Sequence, residues 1–131
     1  IYIMYYVSNI DLYTSMKVVS KNIQSLNLDV DFIVGKNAAD NFDIIDDANS
    51  RDIWFHIENE PSGHIVAKMP EIELNKKQLR QIITQGAVVC KENSKFKSMK
   101  NVKIVFTYVE NVVKMDIPGS VMLLKSKNIS I

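Results

Sequence analysis

The chain has 131 residues, 47% of them hydrophobic and 24% charged, the size and polarity of one compact domain, and no apolar run reaches the roughly 18 residues needed to span a bilayer. A single cysteine, Cys90, excludes an intramolecular disulfide and zinc modules built on paired cysteines. The net charge of +1 conceals a division: Ile1 to Leu74 carry 5 Lys and Arg against 12 Asp and Glu, and Asn75 to Ile131 carry 11 against 3. Such asymmetry suits a surface that faces a polyanion, provided folding brings the cations together. The first residue is Ile1, with no basic segment and cleavage site behind it, so the sequence predicts no signal peptide, a single domain over residues 1–131, and a reducing, cytoplasmic setting.

Ile1 to Val7 is β-branched and aromatic and predicts a first strand. Within Asp11 to Leu28, the residues Leu12, Met16, Val19, Ile23 and Leu26 recur at spacings of three and four, which predicts a helix or helical insertion. Val30 to Val34 predicts a strand stopped by Gly35. Asn37 then caps a short helix running to about Ala48, with Asp40 at its third position, Phe42 and Ile45 turned inward and an acidic outer face. Ile53 to Glu58 alternates as a half-buried strand does, with Trp54, His56 and Glu58 on one face. A turn over Asn59 to Gly63 joins it to the strand His64 to Met69 in a hairpin.

Asn75 to Lys91 is the longest predicted helix, with Leu79, Ile82, Ile83, Ala87 and Cys90 on one stripe. Gly86 within it costs about 1 kcal/mol relative to Ala, which predicts a close approach to a sheet. A lysine-bearing loop, Glu92 to Lys100, is followed by a strand from Val102 to Val109. A Pro-Gly turn lies within Asp116 to Gly119, and the last strands are Ser120 to Leu124 and Asn128 to Ile131. The order predicts an α+β domain, a mostly antiparallel curved sheet with two or three helices packed on it.

Several groups could carry chemistry. Gly35, Lys36 and Asn37 stand where a strand meets a helix, so free backbone N–H groups and a cation could hold a phosphate, against which stands a tight turn with an exposed lysine. A nucleotide-hydrolysing P-loop does not fit, because Val30 stands where the first glycine should be and Asn37 replaces the magnesium-binding hydroxyl. His56 and His64 flank the hairpin turn and could meet, yet no third ligand is spaced to complete a metal site, so structural histidines are expected, with no metal or other cofactor. Cys90 on the apolar stripe predicts an unreactive thiol, and Ser62 lacks the elbow of a hydrolase nucleophile, so no catalytic residues are expected. Trp54 reads either as a platform for a splayed base or as core. Lys91, Lys95, Lys97, Lys100 and Lys103, interrupted by Phe96 and Met99, form the strongest electrostatic feature. With 14 Lys against only Arg51 and Arg80, contact with phosphate oxygens is favoured over the reading of base edges.

The ordered series VGKNAADN (Val34 to Asn41), DIWFH (Asp52 to His56), PSGHIV (Pro61 to Val66), GAVVCKENSK (Gly86 to Lys95), VKIVFTYV (Val102 to Val109) and VVKMDIPGSV (Val112 to Val121) resembles the NFACT-R domain, the RNA-binding module of the NFACT proteins of ribosome-associated quality control. The resemblance spans about Asp29 to Ile131, takes in Tyr2 to Val7, and leaves residues 8–28 as an insertion. The positions matching the family's polar signature are Lys36, Asn37, Asn41, Asp52, Trp54, His56, Ser62, His64, Lys114 and Gly119. The resemblance implies a noncatalytic module that binds tRNA or ribosomal RNA, with the ribosome as a further partner and a role in translation quality control. Joined to the charge pattern, it gives a nucleic-acid-binding set of Lys36, Asn37, Asn41, Arg51, Trp54, His56, Ser62, His64, Lys91, Lys95, Lys97, Lys100 and Lys114. Two alternatives stand beside it: a protein-interaction or homo-oligomerising domain that docks through Asp40, Asp43, Asp46 and Asp47, and a general binder of DNA.

Overall fold

The computed structural model describes residues 16–131, and the strand expected over Ile1 to Val7 lies outside them. Among these residues eight strands run in chain order: β1 Lys17–Ile23, β2 Leu28–Val34, β3 Ile53–Ile57, β4 Ile65–Ala67, β5 Lys103–Tyr108, β6 Val112–Lys114, β7 Val121–Leu123 and β8 Lys127–Ser130. Helix α1 spans Ala38–Asp46 and α2 spans Lys76–Glu92. The main sheet has the order β1-β2-β4-β3-β5-β8 with every pairing antiparallel, and β6 pairs with β7 in a small separate sheet. This is the expected α+β arrangement.

The helix expected within Asp11 to Leu28 is a strand where it is described. Lys17 to Ile23 pairs along its whole length with β2, and Asn27, at φ 50°, closes the turn between them. The three-and-four spacing misleads because Val19 and Ile23 meet the core as alternate residues of a strand, with Lys21 between them on the same face.

Two apolar layers cover the two faces of the sheet. On one, Ile82, Ala87, Val89 and Cys90 of α2 pack on Phe32, Phe55, Ile57, Ile65 and Ile104. Asn75 caps α2 with a full capping box: its side chain accepts from Gln78 N–H while the Gln78 side chain accepts from Asn75 N–H. A Cβ on Gly86 would lie 2.1 Å from Phe55 Cζ, so the glycine is what lets helix and sheet close. On the other face, Ile44 and Ile45 of α1 and Val112, Val121 and Leu123 of the small sheet cover Trp54 and Val66. It is therefore Ile44, rather than Phe42, that points inward beside Ile45. Phe42 stays half-buried with the Lys114 ammonium 5.3 Å from its ring centre. Strand β3, expected to be half-buried, is covered on both faces because β6 and β7 supply a third layer.

Candidate nucleic-acid interface

The β3–β4 register places His56 beside His64, with ring centres 5.1 Å apart. Trp54 Nε1–H donates to His64 Nδ1 at 3.1 Å. With Nδ1 occupied as an acceptor, the neutral His64 ring carries its proton on Nε2. Burial, and then the neighbouring His56, drive the His64 pKa down to about 4, against an opposing backbone hydrogen bond at Gly119. Burial also lowers His56, whose Nδ1 lies 2.6 Å from the Ile57 carbonyl. Trp54 and His64 are each 2% exposed, and the indole lies stacked on His56 at 5.6 Å between ring centres. The expectation that Trp54 offers a face to a base is thereby corrected: the third layer covers it. His64 likewise is buried and uncharged near neutral pH. His56 is the one of the three that is only half-buried, and all three border a hollow of about 420 Å³ with Glu58, Asn59 and Ser120.

The turn at Gly35 is occupied by its own hydrogen bonds. Gly35 N–H donates to the His64 carbonyl at 2.9 Å, and Asn41 Oδ1 accepts from His64 N–H at 3.0 Å. A Cβ on Gly35 would fall 2.2 Å from that same Asn41 oxygen. Asp40 Oδ2 accepts from Lys36 N–H at 3.1 Å, and Asn37 Oδ1 accepts from Asp40 N–H at 2.8 Å. A carboxylate thus stands where a phosphate would have to sit, and of the two readings the tight turn describes these residues, with Lys36 and Asn37 exposed beside it. Asn41 is buried, and Ser62 Oγ accepts from Ile57 N–H at 3.1 Å, so both side chains shape the hairpin. Asp52, 1% exposed, accepts from Asn49 and Met69 N–H and pairs with Lys68 at 2.8 Å.

Five cations of the second half, Lys91, Lys95, Lys97, Lys100 and Lys103, lie toward one end of the main sheet. There β2 ends before Lys36, the β3–β4 turn lies, β5 begins at Lys103 and β8 ends. Glu58 N–H donates to the Lys103 carbonyl at 2.9 Å, and Val102 and Ile131 exchange two backbone bonds. The C-terminus of α2 reaches the same end: Lys17 Nζ donates to Asn93 Oδ1 at 3.1 Å and Lys91 Nζ to the Ile131 carbonyl at 3.2 Å. The loop that carries Lys95, Lys97 and Lys100 runs from that terminus to β5, with Phe96 packed on the core and the lysines exposed. Among the described residues the ion pairs are those of Arg51, Lys68 and Lys114, so Lys36, Lys91, Lys95, Lys97, Lys100 and Lys103 all keep their charges uncompensated by a carboxylate within 4 Å.

Two of the expected cations lie elsewhere. Arg51 precedes β3 at the opposite end of the sheet, over the Tyr108 ring at 4.1 Å and 3.6 Å from Glu110. Lys114, on β6, is paired with Asp46 of α1. That pair also reduces the acidic face. Asp40 is buried and Asp46 is matched, while burial and then the neighbouring Asp46 and Asp40 raise the Asp43 pKa against the opposing Lys114. The Cys90 thiol is buried and pushed up to about 12 by desolvation, which keeps it protonated and inert. Among the described residues no cluster of three or more His, Cys, Asp or Glu is placed to hold a metal ion, and no helix is long and apolar enough to cross a membrane.

The family model described as the NFACT protein RNA binding domain matches residues 8–125. Among solved structures, the C-terminal part of the fibronectin/fibrinogen-binding protein from Streptococcus suis superposes with a TM-score of 0.67 at 21% identity, over 78% of this chain and 40% of that one. At that identity the likeness is one of fold. Comparison with curated proteins gives no match.

Proposed function

Because the chain belongs to the NFACT RNA-binding domain family, we propose that it holds structured RNA by its phosphates at the lysine-bearing end of the sheet. The observation that carries this reading is the gathering of Lys36, Lys91, Lys95, Lys97, Lys100 and Lys103 at one sheet end without a carboxylate partner among the described residues, while Arg51, Lys68 and Lys114 are all matched. Exposed lysine on a loop is a point charge without bidentate geometry, so it grips a backbone rather than reading bases. His56, at the rim of its hollow beside Glu58 and Asn59, is the residue of the hairpin best placed to meet a sugar or base.

The RNA we propose is tRNA or ribosomal RNA, in keeping with a noncatalytic role in translation quality control at the ribosome and a cytoplasmic setting. A filter-binding titration against a tRNA tests this. Reversing Lys95, Lys97 and Lys100 to Glu removes at least three phosphate contacts and should weaken binding roughly fifty-fold at 0.15 M salt, equally for unrelated RNAs. Unchanged affinity would take the loop out of the interface.

A further inference from the structure

A hollow of about 600 Å³ opens at the other end of the sheet, away from the exposed lysines of the α2–β5 loop. It exists because β8 is short. Lys127 pairs with Phe106, so β8 stops covering β5 before Thr107 and Tyr108, and the Lys125–Ser126 segment bends around the gap. The floor is aromatic and aliphatic, formed by Phe106 and Tyr108 on the α2 side of the sheet with Leu79 and Ile83 of the helix.

The rim has a different chemistry. The Arg51 guanidinium lies 4.1 Å over the Tyr108 ring and is held there by Glu110, yet its side chain remains 68% exposed, so its outer surface is open. Asn111 Nδ2 donates to Thr107 Oγ1 at 3.1 Å, which places a polar pair in the wall. Lys125 and Lys127 stand exposed at the mouth and, among the described residues, neither joins an ion pair. A flat apolar body would rest on rings and guanidinium, its polar edge would meet Asn111 and Thr107, and a negative group outside would meet two lysines. Those requirements describe a nucleotide whose base has left its stack.

We propose that this hollow takes an unpaired nucleotide, so that the protein recognises RNA with single-stranded residues next to a helical part. The proposal rests on the phosphate-gripping reading above and extends it along the β8 edge. Lys103 and Phe106, the β5 partners of Ser130 and Lys127 at the two ends of β8, are about 10 Å apart along β5, so a strand of RNA leaving the lysine end has a short edge to follow to Lys127 and the hollow.

The test compares an RNA hairpin bearing a four-nucleotide unpaired tail with the same hairpin made blunt, by fluorescence anisotropy on the wild type, Arg51→Gln and Tyr108→Leu. Stacking of a single base should make the tailed hairpin bind about tenfold tighter to the wild type, and both substitutions should abolish that preference while affinity for the blunt hairpin stays the same. Arg51 is exposed, so its replacement does not threaten the fold. Equal affinity for the two hairpins, or a preference that survives both substitutions, would overturn the proposal and leave phosphate gripping intact. Loss of binding to both RNAs by the wild type would overturn both readings. Resonances of Phe106 and Tyr108 that respond to a poly-glutamate peptide and not to the tailed RNA would assign the hollow to an acidic protein segment, and would also overturn it.

Discussion

Two regions hold most of the polar side chains singled out by the sequence, and they solve opposite problems. In and around the β3–β4 hairpin, Trp54, His64, Asn41 of α1 and Asp52 just ahead of β3 are buried and each has its hydrogen-bond partner, and among the described residues no buried side-chain nitrogen or oxygen is left unsatisfied. At the neighbouring sheet end, Lys36, Lys95, Lys97, Lys100 and Lys103 are exposed and, among the described residues, join no ion pair. A buried network costs stability if any member is lost, because the remaining partner is desolvated for nothing. Exposed unpaired cations contribute little to folding and leave their charge available to a polyanion. Motif-like residues thus build the frame, and the less patterned lysines carry the interaction.

The strongest way to separate the regions is pH. His64 falls from its ordinary 6.5 to about 4 in the folded chain, so the unfolded state binds the extra proton between those values. Stability should be fully present above pH 6.5 and fall as pH drops toward 4, by roughly 3 kcal/mol from His64, with His56 acting in the same direction. Urea unfolding at a series of pH values measures this, and a midpoint that stays level from pH 7 to pH 4 would mean that His64 is not buried as a neutral ring.

The next largest effect is that of Trp54→Phe. It removes the donor to His64 Nδ1 and leaves a small void between the sheet and α1, for a loss of about 2 kcal/mol. RNA affinity of the folded variant should match the wild type, and a large drop in a binding titration would return Trp54 to the interface. The smallest effect sharpens the contrast from the other side. Lys114 and Asp46 are 38% and 54% exposed, so Lys114→Ala should cost only a few tenths of a kcal/mol in thermal unfolding and leave RNA binding unchanged.

The residues themselves explain what could be read in advance. Asn37 and Asn75 are caps because a side-chain oxygen just ahead of a helix accepts an otherwise orphaned N–H, a local relation visible in sequence. Gly86 announced the contact with Phe55 because a helix interior keeps a glycine only where a Cβ has no room. Strand β1 was hidden because at the edge it buries few residues, and five apolar side chains at mixed spacings imitate a helix. Its alternating Val19, Lys21 and Ile23, followed by Asn27 in a left-handed turn, was the available signal. Strand β6 is three residues long and finds its partner in β7, beyond the Pro-Gly turn. That missing layer is why Trp54 could not be assigned to core or surface from β3 alone. The family likeness covered the motifs of the hairpin, but which of them face solvent depends on contacts between α1, β6 and β7 and the sheet, and those are not local.

The salt dependence of RNA binding tests the central claim most directly. With about five phosphates held by the lysine end of a single-stranded RNA, log K should fall against log salt with a slope of about −3.5, and Lys95→Glu, Lys97→Glu and Lys100→Glu together should flatten it to about −1.4. A slope that the triple substitution leaves unchanged would contradict the account.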